Sequence, residues 1–223
     1  MDQMLMVTST LQKLLEKEVE GSPTRKSIAE VVARGLSGLA RVPKGRERAQ
    51  VVHHTIDVEM EKAKDSQAIS CKERCSHCCT IYVTITEDEA DLLLKHSVER
   101  KIHVDLDKLK KQECWKVEDY WKAPLEDSTC VFLGDDKRCK VYEVRPAACR
   151  LYQVRSDPKL CERGPGGESC KVEVCAATKG ELAATIGLNV EFCTLKDDVV
   201  TLKIFEKNMS MPAQLIRRLG TAY

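Results

Sequence analysis

At 223 residues the chain has room for one large domain or two small ones, and its 36 basic and 35 acidic side chains nearly cancel. That balance excludes a nucleic-acid binder driven by a basic surface, and no acidic tail of the solvating kind is present. Charged residues make up 32% of the sequence and aromatic residues only 4%, against 12 cysteines. Ring packing therefore supplies little of the core, and the thiols are the candidates for fixing the middle of the chain.

Residues 1–18 place Asp2 where a secretory leader would carry positive charge, and Gln12, Lys13 and Glu16 interrupt the apolar residues. No stretch approaches the ~18 apolar residues of a membrane span. The expectation is a cytoplasmic protein with reduced thiols. Clustered thiols in that setting mean metal or catalysis rather than a disulfide framework.

Residues 1–66 contain no cysteine and read as helical. Ser22-Pro23 suits a cap and first turn, and Ile28, Val31, Val32, Gly35, Leu36 and Leu39 fall on one helical face. Val42-Pro43-Lys44-Gly45 breaks that helix. A second is expected from about Glu47 to Lys64, with Val51, Val52, Ile56 and Val58 on a less regular face. The pair reads as a cap on the cysteine domain, or alternatively as an arm that docks a protein partner.

Cys71-x3-Cys75-x2-Cys78-Cys79 follows. Four thiols in nine residues converge on a metal when a short loop turns back on itself, as in knuckle-type zinc sites. Ile81 to Ile85 is rich in β-branched residues and reads as a strand. Thr86 and Glu89 then form a Thr-x-x-Glu capping box for a helix containing Leu92, Leu93 and Leu94. A further helix is expected from Leu106 to Trp121. Val131 to Leu133 suits a short strand, Gly134-Asp135-Asp136 a turn, and the resulting hairpin brings Cys139 back toward Cys130. Pro146 fixes the backbone ahead of Cys149, which begins a helix or a tight loop. Val199 to Ile204 reads as a strand and Pro212 to Leu219 as a short helix.

The remaining thiols form a looser second group: Cys130, Cys139, Cys149, Cys161, Cys170 and Cys175. Cys114 and Cys193 stand apart and read as small buried apolar residues. Four thiolates around a zinc ion or a cubane cluster carry a net charge of about −2, which requires nearby donors and cations. Arg145 and Arg150, on either side of Cys149, are the candidates for that role. His77 lies inside the first cluster, but enough sulfurs exist without it, so it reads as a neighbour of the site or a solvent-facing side chain. His53, His54, His96 and His103 carry no ligand signal. Gly164-Pro165-Gly166-Gly167 is a flexible loop rather than a phosphate cradle, and no Ser-His-Asp or His-Glu-x-x-His arrangement is present.

Cys71 to Cys79, Thr86-Glu87-Asp88-Glu89 and Cys139-x-x-Tyr-x-x-Arg-Pro-x-x-Cys149-Arg together resemble the CxxCxxCC family of zinc- or iron-chelating, YkgJ-type cysteine-cluster proteins. The resemblance spans residues 71 to about 175. It implies a cluster of about eight thiols, mapping onto Cys71, Cys75, Cys78, Cys79, Cys130, Cys139 and Cys149. Cys170 is the choice for the eighth from among Cys161, Cys170 and Cys175. Three residues rather than two separate the first two cysteines here. Flagellin lysine methylases carry a similar cluster, which implies an iron–sulfur centre in a modifying enzyme as an alternative. A related alternative is radical S-adenosylmethionine chemistry, since Cys71-x3-Cys75-x2-Cys78 has that spacing and Gly166-Gly167-Glu168 resembles that family's Gly-Gly-Glu. Cys79 and the missing strand–helix alternation argue against it.

The expected architecture is α+β: a helical segment over 1–66, an irregular cysteine-cluster domain with short strands over 67–180, and a strand and helix over 181–223 packed on it. The expected function is metal binding, with zinc or an iron–sulfur cluster in a structural or metal-handling role. The expected partners are the metal ion and a protein docked on the N-terminal helices, with no nucleic acid and no membrane.

Overall fold

A computed structural model describes residues 42–43, 45–64, 68–163, 172–173, 190–191, 203–204 and 209–220. The helix expected over Ile28 to Leu39 lies outside these residues, as do Cys170, Cys175, Cys193, the 164–167 glycine loop and most of the strand expected from Val199.

The chain enters through α1, Arg46–Lys64, close to its expected limits. A 3-10 helix, His77–Thr80, carries Cys78 and Cys79 and leads to β1, Thr84–Ile85. Next come α2, Glu87–Glu99, α3, Leu106–Glu113, α4, Val117–Lys122, and α5, Leu125–Ser128. A 3-10 turn at Tyr142–Val144 precedes α6, Ala147–Leu151, and another 3-10 helix covers Pro158–Cys161. The remaining elements are β2 (Val190–Glu191), β3 (Lys203–Ile204), β4 (Met209–Ser210) and α7 (Met211–Gly220). The described residues are thus mainly helical, and strands are reduced to two-residue antiparallel pairs, β1 with β4 and β2 with β3. Of the α+β expectation, the short strands are the weak part.

The expected strand Ile81–Ile85 contracts for a local reason. Its partner turns into α7 directly after Ser210, so pairing ends where the Met211 N–H donates to the Val83 carbonyl at 2.8 Å. The expected helix Leu106–Trp121 is broken at Cys114–Lys116. Asp105 caps the first piece, and the Asp119 carboxylate accepts from the Lys116 N–H at 2.8 Å to start the second.

Helix α2 organises the packing. Its capping box forms as expected: Thr86 Oγ1 accepts from the Glu89 N–H at 3.2 Å and Glu89 Oε2 from the Thr86 N–H at 3.1 Å. The acids of its first turns hold both flanking helices. Asp88 accepts from the Gly45 N–H and from Arg48 at the start of α1. Asp91 takes two 2.7 Å bonds from Arg218 of α7, and Glu87 pairs with Arg217. On one side, Ile85, Ala90, Leu93, Leu109, Phe132, Val141, Met211 and Leu215 form a core against which Cys130 and Cys139 pack. On the other, Val52, Ile56 and Met60 of α1 close over Ala147 of α6. Among the described residues, no helix is long and apolar enough to cross a membrane.

Candidate metal centre

Three segments distant in sequence bring the thiols together. The first is anchored at Ser70, whose N–H donates to the Val154 carbonyl at 2.8 Å. The Val154 N–H in turn donates to Cys71 Sγ at 3.3 Å. The residue between Cys71 and Cys75 that lengthens the usual spacing is absorbed in a tight turn. There the Cys75 N–H donates to the Lys72 carbonyl at 3.0 Å, and Arg74 sits in the left-handed region at φ 67°. The 3-10 helix then presents Cys78 and Cys79, and the Cys79 carbonyl accepts from the Cys130 N–H at 2.7 Å. This bond splices the first segment to the second.

The second segment is the expected hairpin, reduced to one bridge between Leu133 and Cys139. Its turn closes through Gly134 N–H to the Arg138 carbonyl at 2.8 Å. A Cβ at Gly134 would lie 2.8 Å from Asp136 Oδ1 and 3.3 Å from the Arg138 carbonyl oxygen, so any larger residue would have to displace the Asp136 side chain and crowd the turn. The third segment is α6, which carries Cys149.

The titration behaviour of the thiols records their proximity. Burial raises the Cys149 thiol well above its ordinary value, and the neighbouring charges of Cys130, Cys78 and Cys139 raise it further. Cys130 is pushed up to about 12, first by burial and partly by Cys139 and Cys78, while the Phe132 N–H opposes the shift. Cys139 is raised by burial and by Cys78. Cys78 is raised most by its hydrogen bond with Cys79, then by burial. Cys149 thus feels the other three, Cys130 feels Cys139 and Cys78, and Cys139 feels Cys78, which places these four thiols within electrostatic reach of one another. Cys75 is raised by burial, then by Cys71 and Cys78. Tyr152 is raised by burial and by the charges of Cys161, Cys78 and Cys71, which puts a phenol on the outer side of the group.

The two arginines part company. Arg145 lowers the pKa of Cys78, Cys139 and Cys149. Its guanidinium stacks 4.1 Å from the Tyr142 ring centre, and its Nε is buried with no hydrogen-bond partner. Arg150 is buried, but its donors go to the Arg145 and Glu143 carbonyls and to Asp57 of α1. Of the two arginines, Arg145 is therefore the one that acts on the thiols, and Arg150 braces the loop that presents it.

Cys161 lies on a 3-10 helix packed against the one carrying Cys78, and His77 is half-buried beside Cys78. Cys114 corrects the sequence expectation. It is exposed, because it caps the C-terminus of α3 where the chain turns outward. Two features were not legible in the sequence. One is Tyr152, which had no motif to mark it. The other is buried His53, whose ring meets Glu89 at 3.0 Å; its signal was a polar residue adjoining the apolar stripe of α1.

Among the described residues, no three Cys, His, Asp or Glu side chains are already drawn tightly enough to hold a metal ion. The chemistry of the donor set nonetheless fits one. Soft sulfurs suit zinc and iron, and the buried Arg145 Nε with no hydrogen-bond partner suits a negatively charged sulfur cluster.

Searches among curated proteins and among solved structures returned no match to the chain. The family model described as "CxxCxxCC: Putative zinc- or iron-chelating domain" matches residues 70–179, the stretch containing the three thiol-bearing segments. That match covers just under half of the chain and coincides with the residues that carry the resemblance to the CxxCxxCC family.

Proposed function

We propose that Cys78, Cys130, Cys139 and Cys149 hold one zinc ion or iron–sulfur cluster, in a structural or metal-handling role. Cys71, Cys75, Cys79 and one of Cys161, Cys170 and Cys175 complete the cysteine cluster. The observation that carries this reading is the convergence of Cys78, Cys130 and Cys139 on Cys149, with the Arg145 guanidinium lowering the pKa of Cys78, Cys139 and Cys149. Bound there, the metal supplies a cross-link between the 71–79, 130–139 and 149 segments. The chain's own residues prepare it. The Val154 N–H donates to Cys71 Sγ, Arg145 offsets negative charge, and Glu143, Arg145 and Asp57 hold Arg150 so that the loop keeps its shape. Helix α1, packed on α2 and α6, serves as the cap on this domain.

The test is metal content together with the visible absorption spectrum of protein purified without oxygen. One or two tightly held zinc ions in a colourless protein, or about four irons with a broad thiolate-to-iron band, agrees with the reading. The iron result would also reopen the enzyme alternative, to be followed with S-adenosylmethionine. Cys149→Ser should lose the metal, whereas Cys114→Ser should retain it. Folded, metal-free protein with paired cysteines would overturn the proposal.

A further inference from the structure

The Glu89 carboxylate has more partners than a capping box needs. The residue is 1% exposed, and a buried carboxylate is costly unless its oxygens are satisfied. Oε2 accepts from the Thr86 N–H at 3.1 Å, with Thr86 Oγ1 at 3.5 Å, completing the local cap. Oε1 faces elsewhere. It accepts from the Ala147 N–H at 2.7 Å and lies 3.0 Å from Nε2 of His53, which is itself buried. One side chain therefore joins α1, the start of α2 and the first residue of α6.

Those three places matter for the sulfurs. Ala147 lies two residues from Arg145 on one side and two from Cys149 on the other, in a helix of five residues. So short a helix has little capacity to fix its own position. Thr86 follows β1, which starts just after residues 81–83 beyond the 3-10 helix carrying Cys78 and Cys79. A rigid carboxylate bonded at both ends sets the distance between the segment that delivers Cys78 and the segment that delivers Cys149. Ala147 is also buried in the α1 core cluster, so packing and hydrogen bonding constrain the same point.

We infer that Glu89 is a positioning residue of the metal centre, holding Cys149 and Arg145 in register with Cys78 through the Ala147 N–H. The inference rests on the metal reading above and goes beyond it by naming a residue that touches no sulfur. Partners that orient metal ligands from outside typically change affinity roughly ten- to hundred-fold when removed.

The test uses the full chain loaded with Co²⁺, whose visible d–d bands report thiolate geometry and whose affinity is read by competition with a chelator. Glu89→Gln is expected to bind Co²⁺ roughly ten- to hundred-fold more weakly than the native chain, with altered bands. Asp91→Asn is the control, because Asp91 lies on the same helix and bonds Arg218 of α7 instead. It should lower the melting temperature while leaving the Co²⁺ spectrum and affinity unchanged. Should Glu89→Gln fail to fold, Ala147→Pro removes the donated N–H at a first helical position where proline is tolerated, although it adds ring atoms beside the α1 cluster, and the same loss is expected. Native affinity and spectrum in the variant that folds overturn the inference while leaving the metal reading intact. A native chain that takes up no Co²⁺ overturns both.

Discussion

Single residues set the electrostatics of the thiol group. A thiol whose pKa in the folded chain lies above its unfolded value stabilises the fold below the unfolded value. That contribution disappears as the pH climbs through the folded value. Cys130 spans 9.0 to about 12, and Cys139 and Cys149 shift in the same direction. Metal-free protein should therefore lose thermal stability progressively between about pH 9 and 12, a trend that calorimetry at stepped pH would detect and a flat profile would refute. At Arg74 the cost is conformational. A non-glycine residue in the left-handed region stores about 1 kcal/mol or more, so Arg74→Gly should raise the denaturation midpoint, while a β-branched replacement should lower it.

Between elements, α2 is the hub. It grips α1 through Asp88 and Glu89 and α7 through Asp91 and Glu87, and α1 in turn closes over α6. Ile56 is fully buried in that closure, so Ile56→Ala should destabilise the fold by about 2–5 kcal/mol, measurable by urea titration. Since α6 also carries Cys149, metal binding and α1 order should be linked. Amide exchange in Arg46–Lys64 should slow when metal is added, and equal exchange with and without metal would break the link.

What the sequence made legible divides along the same lines. Local signals translated well: the limits of α1 and α7, the Thr86–Glu89 box and the Gly134 turn all depend on residues within a few positions of each other. The break between α3 and α4 was missed because helical propensity alone does not register a side chain such as Asp119 starting a new helix. Non-local choices were illegible. Arg145 and Arg150 are equivalent in sequence, and only the fold shows that Asp57 and two carbonyls claim Arg150. Cys114 looked like a core residue until the end of α3 turned it outward.

Across the whole molecule, the thiol group is the meeting point of segments that the two apolar clusters hold from either side. If metal binds only the folded chain, its removal should lower the melting temperature by an amount that grows with metal affinity. Melting with and without a strong chelator would measure it, and coincident curves would mean that the cores suffice. The pairing of Arg218 with Asp91 has a kinetic side as well. The two residues are 127 positions apart, and β4 reaches back equally far to β1. Contacts of such long range close slowly, because loop entropy must be overcome before they form. A nascent chain thus has every thiol of the 71–149 region available before residues 209–220 arrive to seal the core. During that interval the cysteines are open to whatever delivers their metal, and equally to oxidants, so the order of synthesis gives loading a head start over closure.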